Sequence, residues 1–259
     1  MRVDRTTDGL RASTTSGASA SGTFAPSGER WRLEIPPELA AGPRAWEVED
    51  LLSLVLTTGW RRAGWVPLHG AGLTREGRGL ICVATSGGGK TTFTVSMIRR
   101  GWRTLGDDKL LLSAKGSAPR VIGLLHVLNL DPGARAWFPE LTDLADTAPY
   151  SEGSPKRRQP IEARWPAGTT LEMAPTDLLV LDRADERCGI QATPLSIAEI
   201  AGALLRQTVV PTDPEVGAMV VRAIGALTVR LRGWRVVLGC DAYEGPEPLD
   251  RLEEALGCR

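Results

Sequence analysis

A chain of 259 residues is long enough for one large domain or two small ones, and 42% hydrophobic with 24% charged residues is ordinary globular make-up. The 31 Lys+Arg balance the 31 Asp+Glu, so net charge favours no polyanionic partner, and no basic-aromatic interleaving suggests nucleic acid. The 4 cysteines (Cys82, Cys188, Cys240, Cys258) are scattered and there are 2 histidines, which argues against a zinc site or a disulfide framework and for the reducing cytoplasm; neither a membrane span nor a secretory leader is expected.

Residues 1–30 are rich in Ser, Thr, Ala and Gly, with Arg2, Arg5 and Arg11 among them. Such a stretch has little apolar surface to offset its ordering entropy. Residues 1–24 are therefore expected to be a disordered tail, an extra edge strand or a partner-recognising segment being the alternatives, and residues 25–259 a single domain. Trp31-Arg32-Leu33-Glu34-Ile35 alternates as a strand does and is stopped by Pro36-Pro37. Residues 46–56 have helical periodicity that continues towards Trp60. The apolar runs 65–73 and 79–83 flank a polar turn, Thr74-Arg75-Glu76-Gly77-Arg78, and predict a hairpin.

That hairpin feeds Ala84-Thr85-Ser86-Gly87-Gly88-Gly89-Lys90-Thr91-Thr92, and Phe93-Thr94-Val95-Ser96-Met97-Ile98 then opens a helix. Strand, glycine-rich loop and Lys-Thr at a helix start are the context of a phosphate-binding loop. Gly87, Gly88 and Gly89 let backbone N–H groups turn inward around phosphate oxygens, and the helix N-terminus adds its positive dipole end. Lys90 would reach the terminal phosphates, the Thr91 hydroxyl would coordinate magnesium, and Ser86 and Thr92 complete the cradle. Ala84 stands where the consensus has its first glycine. The alternative is a glycine-rich turn that holds no ligand.

The helix should stop at Arg99-Arg100-Gly101, and two short strands then meet at Asp107-Asp108. Phosphoryl transfer to a hydroxyl needs metal ligands and a carboxylate for the proton, and this pair is the best candidate, with a solvated acidic turn as the alternative. Neighbouring residues on a strand point to opposite faces, so the two carboxylates should have different jobs. His69, on the strand before the loop, reads as a packing residue or a catalytic one, and His126, inside an apolar run, as structural. Residues 121–130 predict a strand and 131–170 loops with a short helix around 136–141. Within those loops Lys156-Arg157-Arg158 is either a solvated charge run or a mobile cluster that closes over phosphates. Trp137 and Trp165 read as packing residues. Residues 177–182 predict a buried strand. A capped helix begins at Ser196 with Glu199 completing a capping box, a second helix spans about 214–227, a last strand 234–239 and a closing helix 249–256. The mixture is α/β, without internal repeats.

Four blocks, His69-Gly70, Thr85-Ser86-Gly87-Gly88-Gly89-Lys90-Thr91, Arg100-Gly101-Trp102-Arg103 and Asp107-Asp108-Lys109, resemble in order and spacing the catalytic core of the HPr serine kinase/phosphorylase superfamily. In length and layout the chain is similar to short kinase-like members of biosynthetic clusters, such as lasso peptide kinases. The resemblance implies an α/β P-loop kinase core of the HPr kinase / PEP carboxykinase type, a mixed sheet flanked by helices. It implies that Lys90 binds the β- and γ-phosphates and Thr91 the magnesium, that Asp107 accepts the proton, and that Asp108 sits on the metal side with His69 beside the pair. Thr92 occupies the place of a glutamate in the bifunctional enzymes, and their glycine-rich signature for phosphate removal is not found. The expectation is an ATP- and Mg²⁺-dependent kinase acting on a hydroxyl, a serine of a precursor peptide or small protein, with Lys156, Arg157 and Arg158 assisting at the phosphates and a homo-oligomer left open. The rival expectations are a nucleotide-binding regulatory or assembly protein that transfers nothing, and a small-molecule hydroxyl kinase.

Overall fold

The structure, a computed structural model, describes residues 2–6, 9–25, 28–40, 47–48, 51–52, 57, 59–61, 63–113, 118–124, 126–147, 149–150, 153–208 and 214–258. The chain divides into two units, one of residues 1–63 with 149–156 and one of 64–148 with 157–259. This departs from the single domain expected over 25–259.

In the first unit β1 (Arg2–Thr6), β2 (Gly9–Ser13), β3 (Ser19–Ala25) and β4 (Gly28–Glu34) form an antiparallel meander, followed by one turn of helix, α1 (Pro37–Ala40). The disordered tail expected over 1–24 is therefore corrected to three strands of a sheet. Ala12 pairs with Ala20 in register, and both are buried with Ala18, Leu39 and Leu51, while Arg11 faces solvent. The turn between β2 and β3 is closed by Thr14, whose hydroxyl accepts from the Ala18 N–H at 3.2 Å, with Gly17 at φ 93°. Composition undervalued this stretch because its buried face is made of alanines, and strand pairing needs no large side chains to satisfy backbone groups. The helix expected across 46–60 falls largely outside the described residues.

In the second unit the chain runs through β5 (Trp65–His69), β6 (Ala71–Arg75), β7 (Arg78–Ala84), α2 (Lys90–Arg99), β8 (Arg103–Gly106), β9 (Lys109–Ser113), β10 (Arg120–Gly123) and β11 (Val127–Leu130). Three short 3₁₀ turns, Pro132–Ala136, Pro139–Leu141 and Leu144–Asp146, stand where one helix was expected. Then come β12 (Arg157–Pro160), α3 (Ile161–Arg164), β13 (Glu172–Met173), β14 (Asp177–Arg183), β15 (Ile190–Pro194), α4 (Ile197–Arg206), α5 (Pro214–Thr228), β16 (Arg232–Leu238) and α6 (Glu247–Leu256). The α/β class is as expected. The Ser196–Glu199 capping box forms at the start of α4, satisfying N–H groups that a helix end otherwise leaves open.

The main sheet has the order β15-β16-β14-β7-β6-β8, with β16, β14 and β7 parallel and the remaining pairs antiparallel. Its central strands are apolar on both faces because both faces are covered. Ile81, Val83 and Leu178 pack with Ile200, Leu204, Ile224 and Leu227 of α4 and α5. Leu80, Cys82, Leu179 and Leu181 pack with Phe93 and Met97 of α2 and Leu249 and Leu252 of α6. The far side of α2, Val95 and Ile98, is covered by Leu128, Phe138, Leu141 and Ile161. Apolar residues on two sides of the helix thus pack it between β7 and these turns.

A second sheet, β13-β10-β9-β5, and a two-stranded ribbon of β11 and β12 complete the unit. Two expected elements are divided here. The run 65–73 breaks at Gly70, β5 joining the second sheet and β6 the main one. A methyl on Gly70 would lie 3.0 Å from the Cys82 carbonyl oxygen, a close approach that glycine makes easy. The run 121–130 splits likewise into β10 and β11. β8 and β9 change sheets beside β5 and β6, with His69 opposite Lys109 and Gly72 opposite Gly106. Asp107 and Asp108 lie at that second crossing.

Candidate functional site

β7 ends at Ala84, and residues 85–89 form the tight loop that leads into α2. Gly87 (φ 80°) and Gly89 (φ 87°) adopt the left-handed backbone that side chains resist. Gly88 is required for space: a methyl there would lie 2.9 Å from the Ala84 Cβ and 3.2 Å from the Leu181 carbonyl oxygen. The Ala84 Cβ has room while residue 88 stays glycine. Gly89 caps α2 without a side-chain hydrogen bond, which leaves the first N–H groups of the helix for an anion.

The side chains that follow turn towards the crossing of β8 and β9. The Lys90 ammonium donates to the Asp107 carbonyl oxygen, and the Thr91 hydroxyl donates to Asp107 Oδ2 at 2.6 Å. Asp107 is 2% exposed, so this carboxylate is held dry against the start of α2. Asp108 turns the other way, its Oδ1 2.8 Å from His69 Nδ1, and its carbonyl oxygen accepts the Gly70 N–H at 3.2 Å. Burial pushes the Asp108 carboxyl up, but the hydrogen bond from His69 and the charges of His69, Lys90 and Lys109 outweigh it and hold the group below the usual carboxylate range. Beneath the loop, burial raises the Cys82 thiol, opposed by the Lys90 charge, so it stays an inert thiol.

The structure thus brings together Lys90, Thr91, Asp107, Asp108 and His69 around the loop of Ser86, Gly87, Gly88 and Gly89. Thr92, one residue further along α2, faces a hollow on the other flank. Arg157 and Arg158 do not sit in a loop: they belong to β12, paired with Leu130 and Asn129, which corrects the mobile cluster expected there. Lys156 belongs to the first unit, so the three cations are not one element. His126 lies 3.6 Å from Glu162.

Several residues were missed. The Gln207 carbonyl oxygen accepts the His69 N–H at 2.8 Å and its side chain donates to the Ala84 carbonyl oxygen at 3.4 Å, tying the end of α4 to both His69 and the loop strand. Trp137, expected to pack, is 38% exposed and meets Tyr243 edge-to-face with ring centres 6.0 Å apart. Together with Arg183 they flank the hollow by Thr92. No local signal announces these contacts, since residues 92, 137, 183 and 243 meet only through the fold. Among the described residues no cluster of three or more His, Cys, Asp or Glu side chains could hold a metal unaided. A magnesium ion here would take its ligands from Thr91, one carboxylate, phosphate oxygens and water, as such ions commonly do. Among the described residues no helix is long and apolar enough to cross a membrane.

No protein-family model matches the chain, and no curated protein matches it. Among solved structures it is similar to the HPr(Ser) kinase/phosphatase from Coxiella burnetii, with a TM-score of 0.40 and 6% identity over 74% of this chain and 97% of that one.

Proposed function

We propose that the chain is an ATP- and Mg²⁺-dependent kinase that phosphorylates a hydroxyl, a serine of a precursor peptide or small protein. The observation that carries the reading is the convergence on Asp107 of the first two residues of an uncapped helix, Lys90 on its carbonyl oxygen and Thr91 on its buried carboxylate, with a second carboxylate held ionised beside it. Bound ATP with magnesium supplies the transferable phosphoryl group. The residues of the chain bind, orient and take the proton. The left-handed glycines and the open N–H groups of α2 cradle phosphate oxygens. Lys90 neutralises charge that develops on the terminal phosphate. The Thr91 hydroxyl, now bonded to Asp107, is the group that would turn to the metal.

The contacts favour one division of labour between the aspartates. The resemblance gives the proton to Asp107 and the metal side to Asp108. In the structure Asp107 is the partner of the Thr91 hydroxyl, whereas Asp108 is less deeply buried and bonded to a half-exposed histidine. We therefore assign Asp107 with Thr91 to the metal and Asp108, oriented by His69, to the acceptor hydroxyl. The experiment is incubation with ATP, Mg²⁺ and candidate serine peptides, followed by mass spectrometry. A gain of one phosphoryl group on the peptide, lost in Lys90→Ala, is expected. Nucleotide binding without any transfer would favour a regulatory or assembly protein.

A further inference from the structure

The start of α2 has two flanks, and the kinase reading uses one. A polyphosphate laid along the cradle has its reacting end at Lys90, Asp107 and Asp108. Its other end must leave past Gly89 and Thr92, on the opposite flank. There the chain forms a hollow lined by Gly89, Thr92, Trp137, Arg183, Cys240 and Tyr243. Arg183 ends β14 and Cys240 follows β16, so the hollow opens at the same sheet edge as the loop. The Arg183 stem comes within 3.6 Å of a methyl placed on Gly89.

Two features of this hollow point to a ligand. Trp137 is a large aromatic left 38% exposed, held in place by edge-to-face contact with Tyr243. The Tyr243 hydroxyl is withdrawn from solvent and has no hydrogen-bond partner among the described residues. An unsatisfied buried hydroxyl is costly, and a ligand with polar edges would satisfy it. A planar heteroaromatic ring is the group that offers both a face for Trp137 and such an edge. The acceptor hydroxyl belongs on the other flank, beside Asp108, and does not compete for this place.

We infer that the hollow between Trp137, Tyr243 and Arg183 is a nucleoside subsite, which takes the purine base and sugar of a nucleotide whose phosphates lie on the glycine loop. This rests on the phosphate-cradle reading above. The base stacks on Trp137, and Arg183 lies beside the phosphate nearest the sugar. A purine is favoured over a pyrimidine because it covers more of the tryptophan face.

The test compares ATP with inorganic tripolyphosphate, each with Mg²⁺, by titration calorimetry on the whole chain. ATP should bind at least about tenfold tighter than tripolyphosphate, a factor that one stacked base commonly supplies. Trp137→Ala should remove about that factor for ATP and leave tripolyphosphate unchanged, while Trp137→Phe keeps most of it. Alkylation of Cys240, followed site by site by mass spectrometry, should be slowed by ATP and not by tripolyphosphate. Equal affinity for the two ligands, or Cys240 alkylated equally fast with both, would overturn the subsite and leave the cradle standing. A loss of both affinities in Trp137→Ala would make that residue structural and overturn the stacking. If neither ligand binds, the cradle and the subsite fall together.

Discussion

The two flanks of one helix start are built from opposite materials. On one, Lys90 and Thr91 donate hydrogen bonds to Asp107, and His69 contacts Asp108. On the other, Trp137 and Tyr243 present rings with a single guanidinium, Arg183, at the edge. On the charged flank each of these side chains has a partner within the protein, and under the proposed function Lys90 and Thr91 exchange theirs for phosphate and metal. The aromatic flank is open and leaves a phenol unsatisfied, which suits a group that binds without being changed. The difference teaches that one glycine loop can border two surfaces of opposite chemistry, set by which strands and turns meet each flank of the helix start.

The comparison predicts which substitutions stop the reaction and which only weaken binding. Lys90→Ala should have the largest effect, lowering phosphoryl transfer by about 10³-fold or more, as loss of a central electrostatic group does; a steady-state assay with labelled ATP measures it. Asp108→Asn should lower kcat by about 10²-fold with nucleotide affinity nearly kept, whereas Asp107→Asn should raise the Mg²⁺ concentration needed for half-maximal rate. The opposite pattern in a magnesium titration of the two variants would return the proton to Asp107. Gly88→Ala should weaken nucleotide binding by about tenfold, because its methyl meets the Ala84 Cβ at 2.9 Å. Ala84→Gly in the same chain should recover part of that loss, a coupling that calorimetry on the single and double variants reads directly.

A smaller effect is expected from His69→Ala, and its sign is set by the Asp108 carboxyl. That group lies below its ordinary value of 3.8 in the folded chain. Its contribution to stability is complete above that value and is lost as pH falls through the lower folded value. Without His69 the carboxyl rises, so the acid limb of the kcat profile should move to higher pH; a profile superimposable on the parent's would remove His69 from the site. The smallest effect on turnover should come from Asp177→Ala, at the opposite end of β14. Asp177 is fully buried and bonded to Arg232 at 2.7 Å and the Trp234 indole N–H at 3.0 Å. Its loss should lower stability by about 3 kcal/mol in urea unfolding, with kcat unchanged at a temperature where the variant stays folded.

Much of the candidate site was legible in the sequence. The strand before the loop, the glycines, Lys90-Thr91 and the Asp107-Asp108 pair all lie within 79–108, and each is announced by local chemistry. The two aspartates make different contacts, Asp107 with Thr91 and Asp108 with His69, and they sit between strands that belong to different sheets, not on one strand as the sequence reading placed them. The basic run 156–158 was legible only as charge. It is split between two units because Arg157 and Arg158 pair with β11, a partner no short window contains.

By itself, the sequence determined the elements whose signals are local. The glycine loop, the buried strand over 177–182, the capped start of α4 at Ser196 and the closing helix follow from periodicity, cap residues and turn chemistry. Only the tertiary structure decided which sheet each half of 65–73 and 121–130 joins, which carboxylate faces Thr91 and which faces His69, and that Trp137 and Tyr243 meet beside Thr92. It also decided that Arg2–Thr6, Gly9–Ser13 and Ser19–Ala25, in an alanine- and serine-rich stretch, form strands. The physical reason is the same in each case. A strand's neighbours and a side chain's contacts are fixed by partners far away in the chain, and the free energy of pairing is spread over both, so neither half carries the signal alone.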